Sequence, residues 1–185
     1  MSADKRPAPP TATHDAAEVG RVFAPTPWFR LPARIEKSRI EGAGLGAFSL
    51  AKARRGELIA FDLPSSDWLV GLEELQQLPD GVKAFCWRHL EHVYFRGGEG
   101  SATPAHYLNH STTPNLLWHI GCYFADDEIQ PGDELTVDYR HLAPPGWQPF
   151  DVDGRPFEGF EWRRALLESS RRLVELMEHS LEHDS

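Results

Sequence analysis

Gly132-Asp133-Glu134-Leu135-Thr136-Val137-Asp138-Tyr139 is the stretch on which the reading of this chain turns. Pro131-Gly132 marks a turn, and Glu134 to Tyr139 then reads as a strand. Upstream, Tyr107-Leu108-Asn109-His110-Ser111-Thr112-Thr113-Pro114-Asn115 has neither a helical nor a strand period and carries a proline. By composition it is a loop, but one rich in hydrogen-bonding groups. A buried loop of this kind needs those groups to satisfy its own backbone. Further upstream, Glu41-Gly42-Ala43-Gly44-Leu45-Gly46-Ala47-Phe48 lies between a strand expected over residues 34–40 and another over 56–61. Glycines at every second position allow close backbone approach to a ligand. A dinucleotide fingerprint would need a helix directly after the turn, and none is expected.

The rest of the chain fits around these segments. Residues 1–27, with Pro7, Pro9, Pro10, Pro25 and Pro27 among Ala, Thr and Asp, are expected to form a flexible tail. Residues 71–95 are expected to be helical, with Val82, Phe85, Cys86, His89 and Val93 on one side. Residues 116–124 read as one strand. From Phe160 onward Trp162, Leu166, Leu173, Val174, Met177 and Leu181 keep helical spacing. That helix either packs on the core or pairs with a second copy. The expected organisation is a tail over 1–27, one domain over 28–145, and an extension with an amphipathic helix over 146–185.

The 185 residues carry a net charge of -9, with 19 Lys and Arg against 28 Asp and Glu. Nonspecific nucleic-acid binding needs clustered cations, so nucleic acid is not an expected partner. No apolar run approaches the roughly 18 residues of a membrane span, and no signal-like segment opens the sequence. The expected setting is cytoplasmic. Asp126, Asp127, Glu128, Asp133, Glu134 and Asp138 read as a solvated acidic run, or as a field that attracts a cationic substrate. Cys86, His89 and His92, and His106 with His110, do not make a convergent zinc set, so no metal is expected.

Taken in order, Gly44-Leu45-Gly46, Asn109-His110-Ser111-x-x-Pro114-Asn115 and Gly132-Asp133-Glu134-Leu135-Thr136-Val137-Asp138-Tyr139 resemble the SET domain of protein-lysine methyltransferases. The resemblance implies a mainly β fold with some helix: small curved sheets, a threaded, pseudoknot-like loop and, here, a C-terminal helix. It implies S-adenosylmethionine as cofactor, held by Ala43, Gly44, Leu45, Gly46, Asn109 and His110. It implies Tyr139 as the catalytic residue, with Tyr107, Val137 and Trp147 along the substrate channel. The implied partner is a lysine-bearing, basic protein or peptide, and the implied source a compact bacterial protein.

The chain also departs from that pattern. Thr112 replaces the usual Cys, His106 replaces a usual Arg, and Phe61-Asp62 replaces a Tyr-x-Gly-Glu motif. No cysteines follow Tyr139, so the channel is expected to be closed by Trp147, Phe150, Phe157, Phe160 or Trp162 rather than by a zinc cap. A non-catalytic module binding a basic peptide or the cofactor is the rival reading.

Overall fold

The computed structural model describes residues 18–61, 69–83, 86–96, 103–143, 151–152 and 155–183. Its strands are β1 (Val22–Phe23), β2 (Ala33–Lys37), β3 (Leu45–Ser49), β4 (Leu58–Phe61), β5 (Leu69–Gly71), β6 (Cys86–Leu90), β7 (Val93–Arg96), β8 (Asn109–His110), β9 (Leu116–His119), β10 (Cys122–Ala125), β11 (Thr136–Val137), β12 (Asp151–Val152) and β13 (Arg155–Pro156). Its helices are α1 (Leu72–Gln77), α2 (Asp80–Lys83) and α3 (Trp162–His183), with short 3-10 turns at Pro104–Tyr107 and Tyr139–His141. This is the expected mainly β architecture of several small sheets with a C-terminal helix.

Four sheets form, in strand orders β1-β2-β3, β4-β10-β9-β11-β8, β5-β7-β6 and β12-β13. In β2, Ala33 and Ile35 are fully buried while Arg34 between them faces solvent, the two-residue period of a half-covered strand. The main core gathers Ile35, Ala47, Ile59, Leu116, Trp118, Ile129, Leu135 and Val137. A second, smaller cluster of Val70, Leu75, Cys86 and Tyr94 lies on the β5-β7-β6 sheet.

In the five-stranded sheet, β11 pairs in parallel with β8 on one side and with β9 on the other. The chain leaves β8 at His110 and must pass over β11 to enter β9 at Leu116. Side chains tie that passage down. Asn115 Nδ2 donates to the Glu134 carbonyl at 2.8 Å, and the Thr136 N–H donates to Asn115 Oδ1 at 2.9 Å. Residues 111–115 thus form an arch clamped at its far end by Asn115.

Four elements differ from expectation. The glycine motif is itself part of a strand, since β3 begins at Leu45 and pairs with β2. The helix expected over 71–95 is confined to α1 and α2, and residues 86–96 form the hairpin β6–β7. Helical spacing of apolar residues there is outweighed by pairing with the distant strand β5. The single strand over 116–124 is a hairpin turning at Ile120 and Gly121, both at positive φ (46° and 77°). This is the backbone that a two-residue turn needs to follow the sheet's twist. The boundary at residue 27 falls too late, because β1 pairs with β2 and Gly20 N–H donates to the Ile35 carbonyl at 2.7 Å. Backbone pairing of this kind leaves no mark on composition.

Candidate functional site

The β2–β3 connection runs from Ser38 to Gly44, closed by the Ser38 N–H donating to the Gly44 carbonyl at 2.9 Å. Gly42 and Gly44 both have φ of 77°, and a Cβ at either would meet nothing within 4 Å. Their requirement is conformational, and it leaves an open backbone face. Gly46 is different: a Cβ there would lie 2.4 Å from Glu134 Oε1 and 3.2 Å from Asn109 Nδ2. Gly46 is the gap into which the other two motifs fit.

Glu134 joins all three. Its Oε1 accepts from Ser38 Oγ at 2.6 Å and from Asn109 Nδ2 at 2.9 Å, and its Oε2 accepts from the Arg39 N–H at 2.8 Å. Asn109 Nδ2 also donates to the Leu45 carbonyl at 2.9 Å. Two acceptors on Nδ2 fix the amide orientation and leave Oδ1 without a hydrogen bond among the described residues. Glu134 is buried. A buried carboxylate is costly unless its oxygens are satisfied, and here three donors satisfy it.

On the other side of β8, His110 Nδ1 accepts from the Tyr139 N–H at 3.1 Å. The imidazole is held below its ordinary titration range, chiefly by burial, with the Asp138 carboxylate opposing. Neutral and accepting at Nδ1, the ring carries its proton on Nε2. Tyr139 packs on His110 with ring centroids 5.5 Å apart, and its hydroxyl donates to the Leu108 carbonyl at 2.6 Å. Burial raises the phenol well above its usual range. Asp138 is committed to Arg140, whose Nε donates to Oδ1 at 2.9 Å and whose Nη2 donates to Oδ2 at 2.6 Å.

The segment before α3 lies against these groups. Phe157, buried, meets the His110 ring edge-on with centroids 5.5 Å apart. The Phe160 N–H donates to the Arg140 carbonyl at 2.7 Å, and the Arg140 and Arg164 guanidinium groups sit 4.7 and 4.5 Å from the Phe160 ring centre. Of the aromatics expected to close the channel, Phe157 is the one on the motif, while Trp147 and Phe150 lie outside the described residues. Trp162 faces Arg88 with its ring centre 6.0 Å from that guanidinium carbon.

The structure therefore brings Leu45, Gly46, Asn109, His110 and Tyr139 together, with Ala43 and Gly44 on the turn leading into them. Val137 is buried in the core between His110 and Leu116. Tyr107 is buried as well, and its hydroxyl donates to Glu18 at 3.2 Å. A cleft of about 230 Å³ opens elsewhere, between β9 and α3, lined by Leu117, Asp126, His141, Glu168 and Arg172 among others. Of its lining residues, Pro114 and Asp138 belong to the three motifs. Among the described residues no group of three His, Cys, Asp or Glu is placed to hold a metal, and no helix is long and apolar enough to cross a membrane.

The acidic run is exposed at Asp127 and Glu128, and elsewhere it is tied into the fold. Asp126 receives Arg172, Glu128 receives Lys52 and Gln130, Asp133 caps the Gln130 N–H, and Glu134 and Asp138 are buried. The sequence hid Glu134 inside that run. Its one mark was position: it is a carboxylate flanked by the buried Leu135 and the turn at Gly132.

The SET domain profile matches residues 44–140, and the chain belongs to the SET-domain family. Among solved structures, the Neurospora SET domain protein DIM-5, a histone lysine methyltransferase, aligns at 19% identity and a TM-score of 0.48, over 60% of this chain and 53% of that one. The methyltransferase domain of human histone-lysine N-methyltransferase SETMAR aligns at 20% identity and a TM-score of 0.46, over 60% of this chain and 45% of that one. This chain thus spans about half the length of each. No curated protein matches it.

Proposed function

We propose that this SET-domain protein transfers a methyl group from S-adenosylmethionine to a lysine side-chain amine of a basic protein or peptide, in the cytoplasm. The observation that carries the reading is the Glu134 junction. It holds the Gly44–Gly46 backbone, the Asn109 amide and, through β8, the His110–Tyr139 pair in one place. The cradle suits the cofactor: a glycine backbone on which a Cβ at Gly42 or Gly44 would meet nothing within 4 Å, and an Asn109 amide oxygen that takes no hydrogen bond among the described residues. Ala43, Gly44, Leu45, Gly46, Asn109 and His110 would hold it. When bound, it supplies an electrophilic methyl on a sulfonium.

The chain's own groups position rather than titrate. Tyr139 stays a neutral phenol, and its proton is given to the Leu108 carbonyl, so its oxygen keeps lone pairs for an incoming amine N–H or for weak C–H contacts. His110 Nδ1 is occupied by the Tyr139 N–H, and Asp138 by Arg140. None of the three is placed to take the lysine proton. The amine must therefore enter neutral, having lost its proton to solvent from a pKa near 10.4, and burial beside a cation favours that form. Alignment of amine and methyl then supplies much of the acceleration.

The test is incubation with labelled S-adenosylmethionine and a panel of lysine-rich basic proteins, with modified lysines read by mass spectrometry. Transfer is expected, and Tyr139→Phe should lower its rate on the order of 100-fold while leaving cofactor affinity nearly unchanged. Cofactor binding without transfer to any protein would favour the non-catalytic module instead.

A further inference from the structure

Helix α3 has two apolar faces. Ala165, Ser169 and Leu176 are buried on the side toward β9 and the Tyr139–His141 turn. Leu167, Val174 and Leu181 are 50%, 56% and 75% exposed. They recur every seven residues, so at about 100° per residue they stay within roughly 40° of one another and lie roughly 160° from the buried face. The row is about 21 Å long.

Charge is distributed unevenly beside that row. The exposed Arg163, Arg164 and Arg171 lie toward the N-terminus, and Glu175, Glu178 and Glu182 toward the C-terminus. Glu168, in the basic half, is taken by Arg164, and Glu175 by Arg172. Arg171 and Glu178 flank Val174 on one edge of the row and have no ion-pair partner among the described residues. A parallel neighbour would set like charges side by side. An antiparallel copy sets the basic half against the acidic half.

We propose that α3 pairs with α3 of a second copy of this chain, antiparallel, with Val174 packed on Val174 of the second copy at the twofold axis. Leu167 then meets Leu181 of the second copy, and Arg171 meets its Glu178, each contact occurring twice by symmetry. The two domain bodies lie outside the helix pair, because each body covers the opposite face of its helix. Three apolar side chains per copy fall well short of the roughly 800 Å² per partner of a standard interface. The dimer is accordingly weak and forms with rising concentration.

Sedimentation velocity of the full chain over about 1 to 300 µM tests this. The expected result is a mass rising from monomer to dimer and stopping there. Val174→Glu, which places two carboxylates at the axis, should hold the protein monomeric throughout. Arg171→Glu should weaken pairing roughly tenfold, and Arg171→Glu with Glu178→Arg should restore it. All variants should melt within a few degrees of the parent, since these side chains are exposed. A monomer at every concentration, a higher oligomer, or a dimer indifferent to Val174→Glu and Arg171→Glu would overturn the proposal.

Discussion

The sheet that carries the motifs and the β5-β7-β6 sheet beside it are held by different means. In the first, side chains bridge long stretches of chain: Ser38 to Glu134 spans 96 residues and Asn109 to Leu45 spans 64. In the second, neighbouring strands close around their own small cluster of Val70, Leu75, Cys86 and Tyr94. Its described polar ties to the domain run through Arg88, whose N–H donates to the Leu142 carbonyl at 2.6 Å and whose Nη1 donates to the Phe160 carbonyl at 2.9 Å. Buried polar bonds of long range are costly to break because each leaves a partner unsatisfied. They fix the reactive groups. A locally closed apolar unit can change its surface without moving them.

The largest expected effect tests the first region. Gly46→Ala drives a methyl into the Glu134 carboxylate, and should cost about 2–4 kcal/mol, lowering Tm by about 5–15 °C. Thermal unfolding measures it, and an unchanged Tm would mean that the junction yields cheaply. Arg88→Met probes the second region. It should cost about 1–3 kcal/mol and raise the KM for a protein substrate, with cofactor affinity intact. If cofactor affinity fell as steeply as KM rose, the two regions would not be independent.

A smaller effect comes from pH. His89, His110, His119 and His141 are all held below the usual histidine range, in each case first by burial. The unfolded chain therefore binds protons near pH 6.5 that the folded chain refuses. Stability should be full above about pH 7 and fall as pH drops through 6.5. His89 belongs to the hairpin sheet and the other three to the motif side, so His89→Gln should remove the smaller share of the slope. A Tm flat from pH 7.5 to 5.5 would contradict the burial of all four. Smallest is Ile120, a β-branched residue at φ of 46° in the β9–β10 turn. Ile120→Asn relieves that conformation and should add about 1 kcal/mol, seen as a rise in Tm of a few degrees.

The same contrast governs what was legible in the sequence. Glycine at 46, Asn109, Asn115 and Tyr139 each serve as backbone ties as well as site groups, so their order along the chain exposed both the family and the cradle. Glu134 escaped because five other carboxylates stand within eight residues on either side of it. Residues 86–96 escaped because Val82, Cys86, His89 and Val93 fit a helix as well as they fit anything local. The strand partner, Leu69–Gly71, lies well upstream. The β-favouring run Val93-Tyr94-Phe95 was the usable signal. Strand β1 is two residues long, with Phe23 packed on the core, too short to leave a period of its own.

The most direct measurement is a calorimetric titration of S-adenosylhomocysteine into the parent protein and into Glu134→Gln. The parent should bind near the micromolar range, about -8 kcal/mol. Glu134→Gln, which keeps the shape of the junction but removes the charge that its three donors share, should bind at least about tenfold more weakly, with Tm lowered by only a few degrees. A parent that binds nothing, or a variant that binds as tightly as the parent, would contradict a cofactor cradle organised by Glu134.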